Sequence, residues 1–194
     1  MSSQRNKTGI ILAGGKSSRM GSEKGLLLLQ GKPFVQHIIE ALRPLVSDII
    51  IVSSNWQYDV FGVKRVEDII TESGPVAGLH TGLTNSETDD NLVVSCDVPL
   101  VTTSLLKKLL QYKNEDYDVF QFEAQGKTIP LIALYKKHCA EKCFELLSKG
   151  EKRLRKLVSA LNTKTIAVDN EDLFLVKNIN TIEDLKTITN AIDY

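Results

Sequence analysis

Between positions 9 and 24 the chain reads GIILAGGKSSRMGSEK, and the residue types in that stretch suit the binding of a polyphosphate. Gly14 and Gly15 permit a tight turn that bares backbone N–H groups, while Lys16, Arg19 and Lys24 place cations around Gly21. Backbone donors and positive charge together recognise phosphate oxygens. The spacing excludes two familiar phosphate loops. A GxxxxGK[ST] loop ending at Gly15-Lys16-Ser17 would need glycine at position 10, which is Ile10, and GxGxxG cannot be laid on Gly14, Gly15 and Gly21. Asp97 is the matching carboxylate. It follows the apolar run NLVVSC at 91–96, and Pro99 close behind it stops the strand, leaving the carboxylate at the sheet edge. Beside a polyphosphate such a group usually holds Mg²⁺, a hard cation that prefers oxygen ligands, whereas a lone aspartate after a strand more commonly caps a helix or a turn.

Positioning these groups takes alternating strands and helices. Residues 10–12 suit a buried strand, as do DIIIVS at 48–53 and the run at 91–96, with a shorter strand at 63–66 leading into Glu67-Asp68. Phe34, Val35, Ile38, Ile39, Leu42, Leu45 and Val46 recur at helical spacing after Pro33, and Pro44 ends or kinks that helix. GPVAGLHTGL at 74–83 reads as a loop that opens a helix. Thr103 or Ser104 would cap the helix that carries Leu105, Leu106, Leu109 and Leu110. Strands follow at 118–122 and 130–135 around a turn at Gly126, then helices at 138–148 and 153–161 broken at Gly150. A strand at 165–168 precedes a last helix, for which Thr181 and Asp184 form a capping box. The pattern predicts an α/β fold: one doubly wound, mainly parallel sheet flanked by helices. Ligands of such sheets bind at the carboxyl edge, where the glycine loop, Ser54-Asn55, Asp68 and Asp97 all fall.

Charge and cysteine usage narrow the partners. Lys plus Arg number 24 and Asp plus Glu number 24, so no global field favours nucleic acid or a membrane surface. The apolar runs are too short to span a bilayer, and MSSQRNKT has no signal-peptide core. Three cysteines, an odd number, fit a reduced, cytoplasmic protein. Cys139 and Cys143 lie four apart beside Phe144, Leu146 and Leu147, as small apolar residues on one helical face would.

LAGGKSSRMGSEK closely resembles LAGGxSxRMGxxK, the signature of the nucleotidyltransferases that activate molybdopterin. CDVP resembles their CDxP segment, GKTIPLIALY at 126–135 the segment after the catalytic half, EKRLRKL at 151–157 a basic helix, and NINTIEDL at 178–185 the closing N-x-N-T-x-E-D-L. The resemblance runs from Thr8 to Leu185 and is to molybdenum cofactor guanylyltransferases. It implies a Rossmann-like nucleotidyltransferase fold, one domain over 1–194, with 8–113 binding nucleotide and 114–194 the acceptor. It also implies a reaction in which GTP and molybdopterin, with or without molybdenum, give the guanine dinucleotide cofactor and pyrophosphate.

On that resemblance Leu12, Ala13, Gly14, Gly15, Lys24, Asn55, Asp68 and Asp97 bind the nucleotide, Asp97 holds Mg²⁺, and Lys24 and Arg19 stabilise the charge that develops on pyrophosphate. Lys152, Arg153, Arg155 and Lys156 either receive the pterin phosphate or form an ordinary charged helix face. Asn178 and Asn180 either read the pterin or hold the closing loop. Relatives that transfer guanylyl groups often read Asn-x-Asn where this chain has Ser53-Ser54-Asn55; a serine hydroxyl would replace part of the lost hydrogen bonding. Molybdenum-insertion proteins and apo-molybdoenzymes are the protein partners that the resemblance implies. The rival readings are a cytidylyltransferase for the same pterin, a sugar-phosphate nucleotidyltransferase and a non-catalytic GTP-binding module. The short chain and its NINTIEDL ending count against the sugar enzymes, and retention of both Lys24 and Asp97 counts against mere binding.

Overall fold

The contiguous Ile and Val runs of the first half are explained by a sheet covered on both faces. The computed structural model describes residues 6–14, 23–69, 74–113 and 115–192. Its strands are β1 (Lys7–Leu12), β2 (Leu28–Leu29), β3 (Lys32–Pro33), β4 (Asp48–Val52), β5 (Lys64–Val66), β6 (Asp90–Ser95), β7 (Val119–Ala124), β8 (Lys127–Lys136) and β9 (Thr163–Ala167). The helices are α1 (Phe34–Leu42), α2 (Gly74–Asn85), α3 (Thr103–Leu110), α4 (Cys139–Ser148), α5 (Leu154–Ser159) and α6 (Ile182–Ile192). Seven strands form one sheet in the order β5-β4-β1-β6-β8-β7-β9, and β2 pairs with β3 in a separate ribbon. Every pairing in the large sheet is parallel except those of β8, which runs antiparallel to both β6 and β7. The expected mainly parallel, doubly wound architecture is what forms.

Alternation along each strand divides the core. Ile11, Ile49, Ile51, Leu92 and Val94 pack with α1 and α3, whereas Ile10, Leu12, Ile50, Val52 and Val93 pack with α2, α4 and α5. A strand buried on both faces reads as an unbroken apolar run, as these do. Truncating a side chain such as Ile51, which is fully buried, should destabilise the fold by about 2–5 kcal/mol. Cys139 and Cys143 lie in the second of these clusters, as expected of small apolar residues. Burial pushes both thiols up to about 12.

Register creates the edge on which the site is built. Leu12 pairs with Val52 on one side and Ser95 on the other, and Val52 pairs with Val66. Four parallel strands therefore end together, and Gly14, Ser53-Asn55, Asp68 and Asp97 leave the sheet at one edge. The order reverses between β1 and β6, since β4 and β5 lie on one side of β1 and β6 on the other. That switch point is where doubly wound sheets open a ligand crevice.

Three local expectations are corrected. The segment 74–83 is helical from Gly74 onward and forms most of α2. Its glycines suggest a loop, but they serve a close approach to the sheet: a Cβ on Gly82 would lie 2.5 Å from Ile10 Cγ2. Gly in a helix costs about 1 kcal/mol, which tighter packing on β1 and β4 offsets. The cap of α3 is Thr102, whose Oγ1 accepts from the Leu105 N–H at 3.2 Å; Thr103 instead donates to the Ala41 carbonyl. Arg153 stands before α5, which begins at Leu154.

Candidate active site

Residues 15–22, which include Gly15, Lys16, Arg19 and Gly21, lie outside the described residues. On either side of them the chain is tied to the edge. Ala13 donates its N–H to the Val52 carbonyl at 3.0 Å, and Cys96 donates to the Leu12 carbonyl at the same distance. A 3₁₀ turn at Lys24–Leu26 then brings Lys24 back to the crevice. The turn is anchored from below, because the hydroxyl of the fully buried Tyr58 donates to Glu23 Oε2 at 3.3 Å.

Lys24 and Asp97 are joined through one strap of chain. Lys24 Nζ donates to Asn180 Oδ1 at 2.7 Å, and Asn178 Nδ2 donates to Asp97 Oδ2 at 3.3 Å. Between them the Ile179 N–H donates to the Asp97 carbonyl at 2.7 Å, and the Ile179 side chain is fully buried against Leu29, Phe34 and Ile188. The capping box forms as expected. Asp184 Oδ2 accepts from the Asn180 and Thr181 N–H groups at 2.9 Å, while Thr181 Oγ1 accepts from Asp184 at 3.0 Å. These backbone donors, with Lys24 nearby, hold the Asp184 carboxyl below the usual range.

Buried beside this constellation is Cys96. Burial pushes its thiol up to about 12, with Asp97 and Glu23 adding to the shift and Lys24 opposing it. The other Asp97 oxygen, Oδ1, is buried and accepts no hydrogen bond from the described residues. A buried carboxylate oxygen without a donor is costly unless a group outside the described residues supplies one.

On the β4–β5 side, Asp68 Oδ1 accepts from Thr81 Oγ1 at 3.0 Å, and Thr81 Oγ1 in turn accepts from the Ile69 N–H. Burial pushes the Asp68 carboxyl up, against the Thr81 hydrogen bond. Asp68 Oδ2 faces Gly14, where an added Cβ would lie 3.9 Å from it. Ser53 is turned inward: only 2 % exposed, its Oγ accepts from the Asn55 N–H at 3.1 Å, so the expectation that its hydroxyl faces a nucleotide is not met. Asn55 Oδ1 accepts from the Gln57 N–H and caps a 3₁₀ turn at Trp56–Phe61.

The basic residues before α5 reach the same edge from the other half of the chain. Gly74, at the start of α2, would place a Cβ 3.7 Å from Lys152 Cβ. Arg153 is exposed, and its guanidinium pairs with Glu151 at 2.5 Å. Of the residues singled out in the sequence, then, Gly14, Lys24, Asn55, Asp68, Asp97, Asn178 and Asn180 gather at the edge, while Arg153 is held by its own neighbour. Sequence reasoning missed Glu23, Tyr58, Thr81 and Cys96, which support these groups from beneath. A side chain that acts by holding another from inside the protein leaves no spacing to read.

Comparison with known proteins agrees with this geometry. Residues 9–165 match the model of the MobA-like NTP transferase domain. The chain belongs to that nucleotidyltransferase family. A probable molybdenum cofactor guanylyltransferase of Flavobacterium johnsoniae is 35% identical over 181 residues, which cover 93% of this chain and 95% of that protein. The molybdenum cofactor guanylyltransferase of Yersinia pestis is 35% identical over 186 residues, covering 93% and 94%. Among solved structures, molybdopterin-guanine dinucleotide biosynthesis protein A from Archaeoglobus fulgidus superposes with a TM-score of 0.82, covering 96% of this chain and 98% of that one. At 22% identity that likeness supports the fold.

Proposed function

We propose that this nucleotidyltransferase moves GMP from GTP onto molybdopterin and releases pyrophosphate. The observation that carries the assignment of roles is the strap, which links Lys24 and Asp97 through Asn180 and Asn178 at the carboxyl edge where the glycine-rich loop leaves β1.

The reaction forms a bond between a terminal phosphate oxygen of molybdopterin and the α-phosphorus of GTP. The bond from that phosphorus to the β-phosphate bridging oxygen breaks, and its electron pair leaves on pyrophosphate. A phosphate nucleophile is already anionic at neutral pH, so no general base is required. The histidines agree with this, because each is engaged elsewhere: His37 with the Leu29 carbonyl, His80 with the Ala140 carbonyl and His138 with Asp118. The protein's work is positioning and charge stabilisation. Gly14, Asn55 and Asp68 line the nucleotide's place, and Lys24 and Arg19 take up charge on the departing pyrophosphate. Asn178 and Asn180, beside Asp97 and Lys24, and Lys152, close to Gly74, would receive the acceptor, while Arg153 would first have to leave Glu151.

Asp97 would supply a divalent metal with one protein ligand, Oδ1, which accepts no hydrogen bond from the described residues; these hold no cluster of three or more His, Cys, Asp or Glu, so phosphate oxygens and water would complete the coordination. Oxygen donors beside a triphosphate favour Mg²⁺, which when bound would offset negative charge on the phosphates. One sheet joins both halves of the chain, since β6 pairs with β8, and this supports reading residues 1–194 as a single domain. No described helix is long and apolar enough to cross a membrane, and the three buried cysteines are free, which supports a cytoplasmic setting.

Incubation with molybdopterin, Mg²⁺ and each nucleoside triphosphate in turn, followed by product mass and pyrophosphate release, tests the reading. A GMP adduct formed from GTP is expected. An adduct formed only with CTP would make the protein a cytidylyltransferase, and binding without pyrophosphate release would make it a binding module.

A further inference from the structure

Tyr58 lies in the 3₁₀ turn Trp56–Phe61 at the sheet's carboxyl edge, yet it is fully buried. The residue links two parts of the site. At one end its backbone N–H donates to the Asn55 carbonyl at 3.3 Å, inside the turn that the Asn55 side chain caps. At the other end its hydroxyl donates to Glu23 Oε2 at 3.3 Å. The same hydroxyl lies so close under Gly25 that an added Cβ there would come within 2.5 Å of it. Glu23 and Gly25 are the immediate neighbours of Lys24. Tyr58 therefore meets both flanks of the lysine from inside the core.

A tyrosine that only filled the core would need one acceptor for its hydroxyl, and any nearby carbonyl would serve. Here the acceptor is a carboxylate on the turn itself, and the residue beside it is a glycine whose close approach no other side chain would allow. Phenylalanine would fill the same volume without holding Glu23. We propose that Tyr58 is a positioning residue for the transfer step, fixing through Glu23 and Gly25 the direction in which the Lys24 turn presents its ammonium group. The proposal rests on the reading that Lys24 acts in transfer.

Steady-state GMP transfer by the full chain tests it, with Tyr58→Phe, Lys24→Ala and the double variant compared with the unaltered protein. Tyr58→Phe should lower kcat by about ten- to hundredfold, the loss that a misplaced catalytic group produces, with GTP affinity by calorimetry unchanged. In the Lys24→Ala background the same change should cost nothing further, because the group that it aims is gone. Glu23→Ala removes the acceptor and leaves the ring in place; it should reproduce the loss, and it carries the same cycle if Tyr58→Phe melts below the assay temperature. Unaltered kcat in a folded Tyr58→Phe protein would overturn the proposal. So would losses that multiply in the double variant, since those describe general loosening of the core. Unaltered kcat in Lys24→Ala would instead remove the role of Lys24, and this inference with it.

Discussion

Asn180 Oδ1 accepts a hydrogen bond from Lys24 Nζ at 2.7 Å, joining residues 156 apart in the chain. Asn180 is itself held by its backbone N–H on Asp184, and its neighbour Ile179 is buried. Its amide is thus free to act on Lys24 without carrying the strap. Asn180→Ala should lower kcat by about tenfold or more, the worth of a hydrogen bond to a charged group, and leave the melting temperature near that of the parent protein. Kinetics beside thermal melts decide it. If both substrate affinities and Tm fall together, the amide holds the loop; if only molybdopterin affinity falls, it reads the pterin.

Asp97→Asn should abolish most transfer while the fold persists. Asparagine can still accept from Asn178, and the Asp97 carbonyl that receives the Ile179 N–H is backbone and unchanged. What goes is the charge that a metal needs at Oδ1. Removal of a contact made to charge in the transition state costs about 2.7–4 kcal/mol, roughly a hundred- to thousandfold. Near-parental turnover at saturating Mg²⁺ in a folded variant would rule out Asp97 as the metal ligand.

Lys24→Ala should reduce kcat more than it raises the KM for GTP. An ammonium group that meets charge developing on pyrophosphate acts mainly in the transition state, whereas one that binds the ground state equally changes KM alone. The split between the two constants gives the answer. A change confined to KM would make Lys24 an anchor for the triphosphate.

The edge of the sheet was legible because apolar runs give strands, strands in register end together, and a glycine turn or an acid just past the run must then leave at that edge. Lys24 and Asp97 could be named on that ground and on motif. The strap could be named only as a motif, since nothing in its sequence says that its amides would meet residues 81 and 156 positions away. Helix α2 was misread because glycines at 78 and 82 weaken the helical signal locally, and the sheet against which they pack is distant in sequence. Thr102, Thr103 and Ser104 all carry a hydroxyl, so the cap of α3 turns on backbone geometry, with Thr102 alone extended before the helix.

The Asp184 cap makes the strap sensitive to acid. Its folded carboxyl lies below the ordinary aspartate value, chiefly through the Asn180 N–H and then the Thr181 side chain. A depressed carboxyl contributes stability that is present above the unfolded value and lost as pH falls through the folded one. Asp184→Asn should therefore melt earlier than the parent at neutral pH, and the two curves should approach each other as the pH drops below the ordinary aspartate range. A gap in Tm that stays constant with pH would assign the cap's effect to hydrogen-bond geometry without charge.

Choice of base should lie at Gly14. The resemblance to guanylyl-transferring relatives includes LAGG at 12–15, which leaves Gly14 without a side chain opposite Asp68. The backbone there is outside the left-handed region that only glycine adopts easily, and an added Cβ would meet Asp68 Oδ2 and the Val52 carbonyl at an ordinary 3.9 Å. Alanine thus meets no conflict among the described residues, and a penalty on one base alone would come from what binds beside it. A purine lying against Gly14 would be crowded by that methyl group, while a cytosine would have room to pack on it. Discrimination by one methyl is worth about 1–3 kcal/mol, roughly 10–200-fold. Gly14→Ala should keep the parent's melting temperature and lose much of its preference for GTP, without becoming an efficient cytidylyltransferase, because Asp68 and Asn55 are unchanged. Competition between GTP and CTP in one reaction reads the ratio of kcat/KM directly. A ratio that does not move would place base selection on the far side of the pocket, at Asn55 and Asp68.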